Sequence, residues 1–459
     1  MLTRKHNLMH KTVVIDIVGL SSRLIGPHTP FLKKWATENT LRTVTPMLPA
    51  VTTSVQSTYL TGLTPAGHGI VGNGWYDRTT CEVGFWKQSN RLVQAEKIWE
   101  KAKQEDPAFT CANMCWWYNM YSTVDYSITP RPNYLSDGRK IPDSYSYPAD
   151  LRDQLQEQLG TFPLFHYWGP GADIKSSEWI AKASMIVEEK YSPTLTLIYL
   201  PHLDYCLQKF GHDQALIASH LSEIDGLVRE LVTFYEKRDV RVVLLSEYGI
   251  TPVDHPVHLN RHLREKGFIQ VRTERDLELL DAGASRAFAV ADHQIAHVYL
   301  NDPSITGEVT ALLKNTPGVE LVLDQARKKR YGLDHERSGD LVCVADARSW
   351  FTYYYWLDDA RAPDFARLVE IHRKPGYDPV EMFMTSKLRA AYKLLRKKLG
   401  FRYRMDVVPL DASLIKGSHG RVDTPAQDHP VCITRKPAGP ATLKATDVYS
   451  VIWDTLHAD

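Results

Sequence analysis

Three short apolar runs, each carrying an acid or followed by one, restrict what this chain can fold into. Residues 12–18 (TVVIDIV) hold Asp16 inside the run. Residues 194–200 (TLTLIYL) lead through Pro201 and His202 to Asp204, and residues 240–245 (VRVVLL) give way to Ser246-Glu247-Tyr248-Gly249. Runs that are apolar at nearly every position are strands buried on both faces, as in parallel sheets. Between them, Ala215, Ile217, Leu221, Ile224, Leu227, Leu231 and Phe234 recur at helical spacing. Residues 92–103 also carry helical spacing, 108–114 read as a further strand, and 431–433 return the chain to the sheet. Strands alternating with helices predict an α/β fold on a mostly parallel, doubly wound central sheet. Ligands of such sheets gather beyond the carboxyl ends of the strands, which is where Asp16, Asp204 and Glu247 fall.

The region 255–405 reads differently. Strand-like runs at 287–300, 340–345 and 350–356, then a basic helix near 388–399, predict an α+β cap inserted into a core made of 1–254 and 406–459. With 55 basic against 54 acidic residues the net charge is +1, so no nucleic acid polymer or membrane is expected as a partner. The basic cluster at 387–404 reads as a solvated helix face. No run of about 18 apolar residues predicts a membrane span, and residues 1–10 show no apolar leader core. Six cysteines (81, 111, 115, 206, 343 and 432) form no paired framework. Reduced thiols and a cytoplasmic setting are the expectation, and the bulky neighbours of Cys111 and Cys115 do not suit a zinc knuckle.

Three carboxylates on one sheet edge repel one another in a poorly solvated cleft. Divalent cations remove that repulsion, and two of them form a clamp for attacking and leaving oxygens. The competing reading is that each acid caps a helix or pairs with an Arg. Hydroxyls crowd nearby, in 48–54 (LPAVTTS) and in Gln56-Ser57-Thr58. Metal coordination turns such a hydroxyl into a nucleophile. Alternatively Thr52 or Thr53 caps a helix running to Leu60; the two roles are compatible, because a helix N-terminus also favours a phosphate.

Asp16, then Pro49-x-x-Thr52, then Thr61-Gly62-Leu63-Thr64-Pro65-Ala66-Gly67-His68-Gly69-Ile70 with Asn73, together resemble the nucleotide pyrophosphatase/phosphodiesterase branch of the alkaline phosphatase superfamily. The resemblance implies an alkaline phosphatase-like fold, Thr52 as nucleophile, Asn73 on a phosphate oxygen, and two divalent ions, zinc in that branch. It implies a metal-dependent hydrolase cleaving phosphodiester or pyrophosphate bonds, with a phospho-threonine intermediate and a small phosphoester, such as a nucleotide, as substrate.

The metal ligands carried over by resemblance depart from the branch at three positions. One group is Asp16, Thr52 and an Asp-His pair, represented here by Glu247 and Tyr248. The other is Asp204, a His replaced by Gln208, and His419 in Lys416-Gly417-Ser418-His419-Gly420. In a helix, His212 lies about 12 Å along the axis from Asp204, too far to share its ion. Two replacements exchange nitrogen for oxygen, which leans toward Mn²⁺ or Mg²⁺ over Zn²⁺. A sulfatase-type nucleophile is disfavoured, since Thr52 lacks the required Pro and Arg context.

His293 and His297 read as polar packing or a further site, and His335 to Asp340 as a structural turn with Arg337 near substrate. His255 and His258 follow the third strand toward the cleft, and Trp116-Trp117-Tyr118 reads as core or cleft wall. The rival readings are a phosphomonoester or phosphonate hydrolase of the same superfamily, and a binding protein whose metal sites have decayed.

Overall fold

The computed structural model describes residues 9–136, 139–401, 403–435 and 440–457. The N-terminal run up to residue 8 and Arg402 of the basic cluster lie outside them. A nine-stranded sheet is centred on Thr12–Ile17, which pairs in parallel with Leu195–Leu200 on one side and Arg241–Leu245 on the other. Cys111–Met114 and Tyr126–Pro130 extend the parallel set. Antiparallel Ser144–Tyr147 closes one edge; Val431–Thr434, also antiparallel, leads to Thr40–Thr45 and Thr442–Lys444 at the other. The runs at 12–18, 194–200 and 240–245 therefore form the centre of the sheet, and all six residues of each of the first two strands are buried. Both β-faces are covered, which is why neither strand alternates.

Register places the acids. Asp16 lies opposite Leu245 and Tyr199, and Glu247 follows two residues beyond Leu245, on the same side of the strand. Asp204 lies in the first turn of His202–Phe210, the helix that leaves the neighbouring strand. The amphipathic helix expected near 215–237 is Gln214–Glu236, its Ile217, Leu221, Ile224 and Leu231 buried on the sheet.

A second hydrophobic cluster surrounds a four-stranded antiparallel sheet of Ala287–Asp292, Ile295–Leu300, Leu341–Ala345 and Val319–Leu323. It draws on residues between 253 and 415, and also on Ile70, Val71, Trp75, Tyr76 and Phe85 from the N-terminal half. The run 287–300, read from sequence as a single strand-like stretch, is a hairpin. His293 takes a left-handed backbone (φ 61°) at its two-residue turn. Of residues 350–356, strand pairing covers only Trp350 and Phe351, within the strand Ser349–Phe351. The basic helix is Lys387–Lys398.

Candidate active site

Thr52 opens the helix Thr52–Thr61, whose first nine residues are all buried. The helix survives that burial because its hydroxyls are satisfied by the following loop. Thr53 Oγ1 donates to the Gly72 carbonyl (2.8 Å), Ser54 Oγ donates to that of Ile70 (2.9 Å), and Thr58 shares a hydrogen bond with His68 Nε2 (3.0 Å). The Gly-rich run is thus a brace. Burial pushes His68 down to about 3, keeping it neutral at this post. Val51 occupies the N-cap without a side-chain bond, so neither Thr52 nor Thr53 caps the helix. Thr52 Oγ1 instead lies 3.0 Å from the Tyr248 hydroxyl. Asn73 is held rigidly: its Oδ1 accepts from the Thr53 amide (3.1 Å), and its Nδ2 donates to Asp292 Oδ1 (3.1 Å).

Asp16 and Glu247 press together, both fully buried, with Gln56 Nε2 donating to Glu247 Oε1 at 2.5 Å. Both Asp16 oxygens and Glu247 Oε2 have no hydrogen-bond partner. Burial drives both carboxyls upward, and for Glu247 the charge on Asp16 adds to it. Two desolvated carboxylates with three unpartnered oxygens make a donor set that suits one hard divalent cation.

Across Thr52 the chemistry changes. Asp204 Oδ2 accepts from Gln208 Nε2 (2.9 Å), and Asp204 Oδ1 accepts from the Tyr248 hydroxyl (3.3 Å). The Gln208 carbonyl oxygen, the atom a metal needs, accepts from the Tyr377 hydroxyl (2.9 Å). Burial raises Tyr248 well above its ordinary value, and the charge on Asp204 adds to it. It is therefore a neutral phenol here, not the phenolate a cation prefers. His419 Nδ1 bonds the Ala50 carbonyl (2.7 Å), leaving Nε2 bare and 3.7 Å from Asp204 Oδ1. Four rings stack in a column, Tyr248–His419–His293–Tyr377, with centroid spacings of 3.6, 3.8 and 3.6 Å. The two tyrosines at its ends are tied together through Asp204 and Gln208. This side offers one carboxylate and one imidazole, with neutral groups already bonded at the other two positions, and it fits a second divalent cation poorly.

With these contacts in place, comparison with known proteins becomes informative. The family model described as type I phosphodiesterase/nucleotide pyrophosphatase matches residues 12–378. The chain belongs to that family. An uncharacterized pyrophosphatase/phosphodiesterase of Schizosaccharomyces pombe is 27% identical over 259 residues, covering 54% of this chain and 46% of that protein. Ectonucleotide pyrophosphatase/phosphodiesterase 2 of Saccharomyces cerevisiae is 23% identical, covering 76% of this chain and 66% of that protein. The chain thus spans about half to two thirds of the length of these two relatives. Among solved structures, murine ectonucleotide pyrophosphatase/phosphodiesterase 5 superposes with a TM-score of 0.60 at 16% identity, covering 97% of this chain and 95% of that one. Phosphonoacetate hydrolase from Sinorhizobium meliloti, in complex with phosphonoformate, superposes at 0.61 and 16%, covering 99% and 97%. The fold is alkaline phosphatase-like.

Within this family member, the residues expected from sequence come together around Thr52: Asp16, Asn73, Asp204, Gln208, Glu247, Tyr248 and His419. Sequence reasoning missed Gln56, Asp292 and Tyr377, and left His293 between polar packing and a further site. The polar Asp292-His293-Gln294 between two apolar runs was the available signal for the hairpin tip that delivers two of them. The remaining candidates have structural posts. His212 Nε2 bonds the Ile250 carbonyl (2.7 Å), and His297 bridges the Val71 carbonyl and the Gly339 amide (2.9 and 3.0 Å). His335 bonds Gln94, Arg337 donates to the Gly69 and Leu92 carbonyls, and His258 bonds Thr352. Trp116 is buried in the first core, while the Trp117 amide donates to Gln56 Oε1 (2.6 Å).

Proposed function

We propose that this chain hydrolyses phosphodiester or pyrophosphate bonds of small molecules such as nucleotides, with Thr52 as the nucleophile. The observation that carries the reading is the Thr52 hydroxyl itself. It is held at a helix N-terminus on a hydrogen-bonded path to Asp204, and Gln56 of the same helix donates to Glu247 of the unpartnered carboxylate pair. Asp16 and Glu247 would hold a divalent cation, which when bound neutralises charge on the phosphoryl oxygens. Thr52 gives up its proton along the 3.0 and 3.3 Å bonds through Tyr248 to Asp204, whose carboxyl burial has moved to about 7. General-base help of this kind is worth about 10²–10⁴ in rate. Asn73 Nδ2 has a second hydrogen for an equatorial phosphoryl oxygen, and Asp292 fixes its direction. Attack by Thr52 Oγ on phosphorus expels the leaving alcohol or phosphate. Water then releases the phosphoryl group from Thr52.

The six unpaired cysteines support a reducing, cytoplasmic setting. The test uses the purified protein supplied with Mn²⁺, Mg²⁺ or Zn²⁺. We expect bis-p-nitrophenyl phosphate to be cleaved faster than p-nitrophenyl phosphate, and Thr52→Ala to lose activity by at least about a thousandfold. Full activity in Thr52→Ala eliminates this mechanism; preference for the monoester points to the related monoesterase chemistry. One observation favours a second reading, a phosphoester-binding protein without turnover: Asp204 is already satisfied by neutral groups. Binding of AMP with no hydrolysis under any of the three ions would establish it.

A further inference from the structure

His202, His220 and Glu223 lie outside the site just described, and nothing in the proposed reaction uses them. His202 Nε2 is 3.2 Å from His220 Nδ1 and 3.3 Å from Glu223 Oε2, and the third side of the triangle, His220 Nδ1 to Glu223 Oε2, is 3.5 Å. Among the described residues this is the one group of three His, Cys, Asp or Glu donors within 4.8 Å of one another. A neutral imidazole has one N–H, so hydrogen bonds cannot satisfy all three edges. Bonds of about 2.0–2.2 Å from one tetrahedral ion require ligand-to-ligand edges of about 3.3–3.6 Å, which the triangle nearly matches. We infer that His202, His220 and Glu223 bind a transition-metal ion of the zinc type. Two nitrogens and one oxygen select a borderline ion over Mg²⁺ or Ca²⁺. Burial lowers His202 to about 4, so its ring is neutral at physiological pH. His202 lies in the first turn of the helix bearing Asp204, whereas His220 and Glu223 belong to Gln214–Glu236. The ion therefore fastens the Asp204 helix to its neighbour.

The test is metal content of full-length protein dialysed against Zn²⁺, together with the visible spectrum of the Co²⁺ form. His220→Ala and Glu223→Gln are partly exposed positions that should fold normally. Each should hold one ion fewer per chain than wild type, and Asp16→Asn, which removes the other candidate cation position, should keep a Zn²⁺-induced rise in Tm that the double variant Asp16→Asn with His220→Ala lacks. Equal metal content in His220→Ala and wild type overturns the site, whatever becomes of the hydrolase reading.

A separate observation concerns the helix Lys387–Lys398. Its half-buried positions are Ala390, Lys393 and Arg396, and Arg389 and Lys393 pair with Asp406 at 2.7 and 2.8 Å. The apolar stripe Leu388, Tyr392, Leu395 and Leu399 faces outward, 84, 56, 55 and 64% exposed, with Leu394 and Phe401 beside it. Residues 387–404 hold eight Lys or Arg and no Asp or Glu. The sequence expectation of a solvated basic face thus meets a helix turned apolar side out. A second copy of this chain would set one basic segment against another, which disfavours pairing through this face. The geometry points to an anionic lipid surface as the partner, with the leucines in the acyl boundary and the flanking cations on the headgroups.

Co-sedimentation with vesicles of equal parts phosphatidylglycerol and phosphatidylcholine should pellet the protein at low salt and release it at high salt. Pure phosphatidylcholine vesicles should not pellet it. The surface variant Leu395→Ser with Leu399→Ser should keep its Tm and lose binding. No binding to the anionic vesicles, equal binding by the variant, or a dimer in light scattering that the variant abolishes would each overturn the proposal.

Discussion

On one side of Thr52, Asp16 and Glu247 keep three carboxylate oxygens without a donor; on the other, both oxygens of Asp204 are occupied, by Tyr248 and Gln208. Both sides are buried, and burial raises all three carboxyls. They differ in what relieves the strain of a desolvated charge. The first side calls for a cation, because among the described residues Gln56 is the hydrogen-bond donor to this pair and no group of opposite charge lies against it. The second relieves it with the neutral donors Gln208 and Tyr248, which partly offset the upward push of burial on Asp204. With Gln208 and Tyr248 in these places, the Asp204 side presents a hydrogen-bonded carboxyl where the Asp16 side presents bare oxygens.

That contrast can be broken by experiment. The largest effect is expected from Tyr248→Phe, which cuts the path from Thr52 to Asp204. Hydrolysis should fall about a hundredfold. The rate of the wild type should rise as pH climbs through about 7, where burial has placed Asp204, because the deprotonated carboxylate is the acceptor. In the variant that rise should flatten, and a pH–rate profile unchanged in shape would exclude the path. Next in size is Asp16→Asn. Burial raises the Asp16 carboxyl from its ordinary 3.8 to about 7 in the folded state, so the metal-free protein loses stability as pH rises between those two values, and the loss is complete above about 7. At pH 8 the variant should be more stable than metal-free wild type by about 1–3 kcal/mol, and Mn²⁺ should no longer raise its Tm. Denaturant titrations with and without Mn²⁺ check both. Asp204→Asn should retain the Mn²⁺ response; losing it would show that the two sides share one ion. The smallest effect is one of stoichiometry. Gln208→His with Tyr248→His should add one bound ion per chain by metal analysis, and an unchanged count would mean that something besides these two residues closes that side.

Much of this was legible in the sequence. The strands carrying Asp16 and Glu247 are near-continuous apolar runs, and the strand ends fix where their acids emerge. Thr52 and Asn73 followed from the resemblance of the run from Pro49 to Asn73 to the family's pattern. What sequence reading could not supply came from distant segments. Tyr377 reaches Gln208 from 169 residues away, out of a stretch without periodicity. His293 joins the ring column only because the run 287–300 turns back on itself, and an apolar stretch gives no period by which to tell a hairpin from one strand. Gln56 was read among its neighbouring hydroxyls, although its amide is what bonds Glu247.

The hairpin tip has one more consequence. Its strands are rooted in the second hydrophobic cluster, yet His293 is sandwiched between His419 and Tyr377, and Asp292 grips Asn73 next to the Thr52 helix. Neither core can melt while leaving the other's polar centre intact. Heating should therefore show one calorimetric peak, with loss of ligand binding and loss of secondary structure falling at the same temperature.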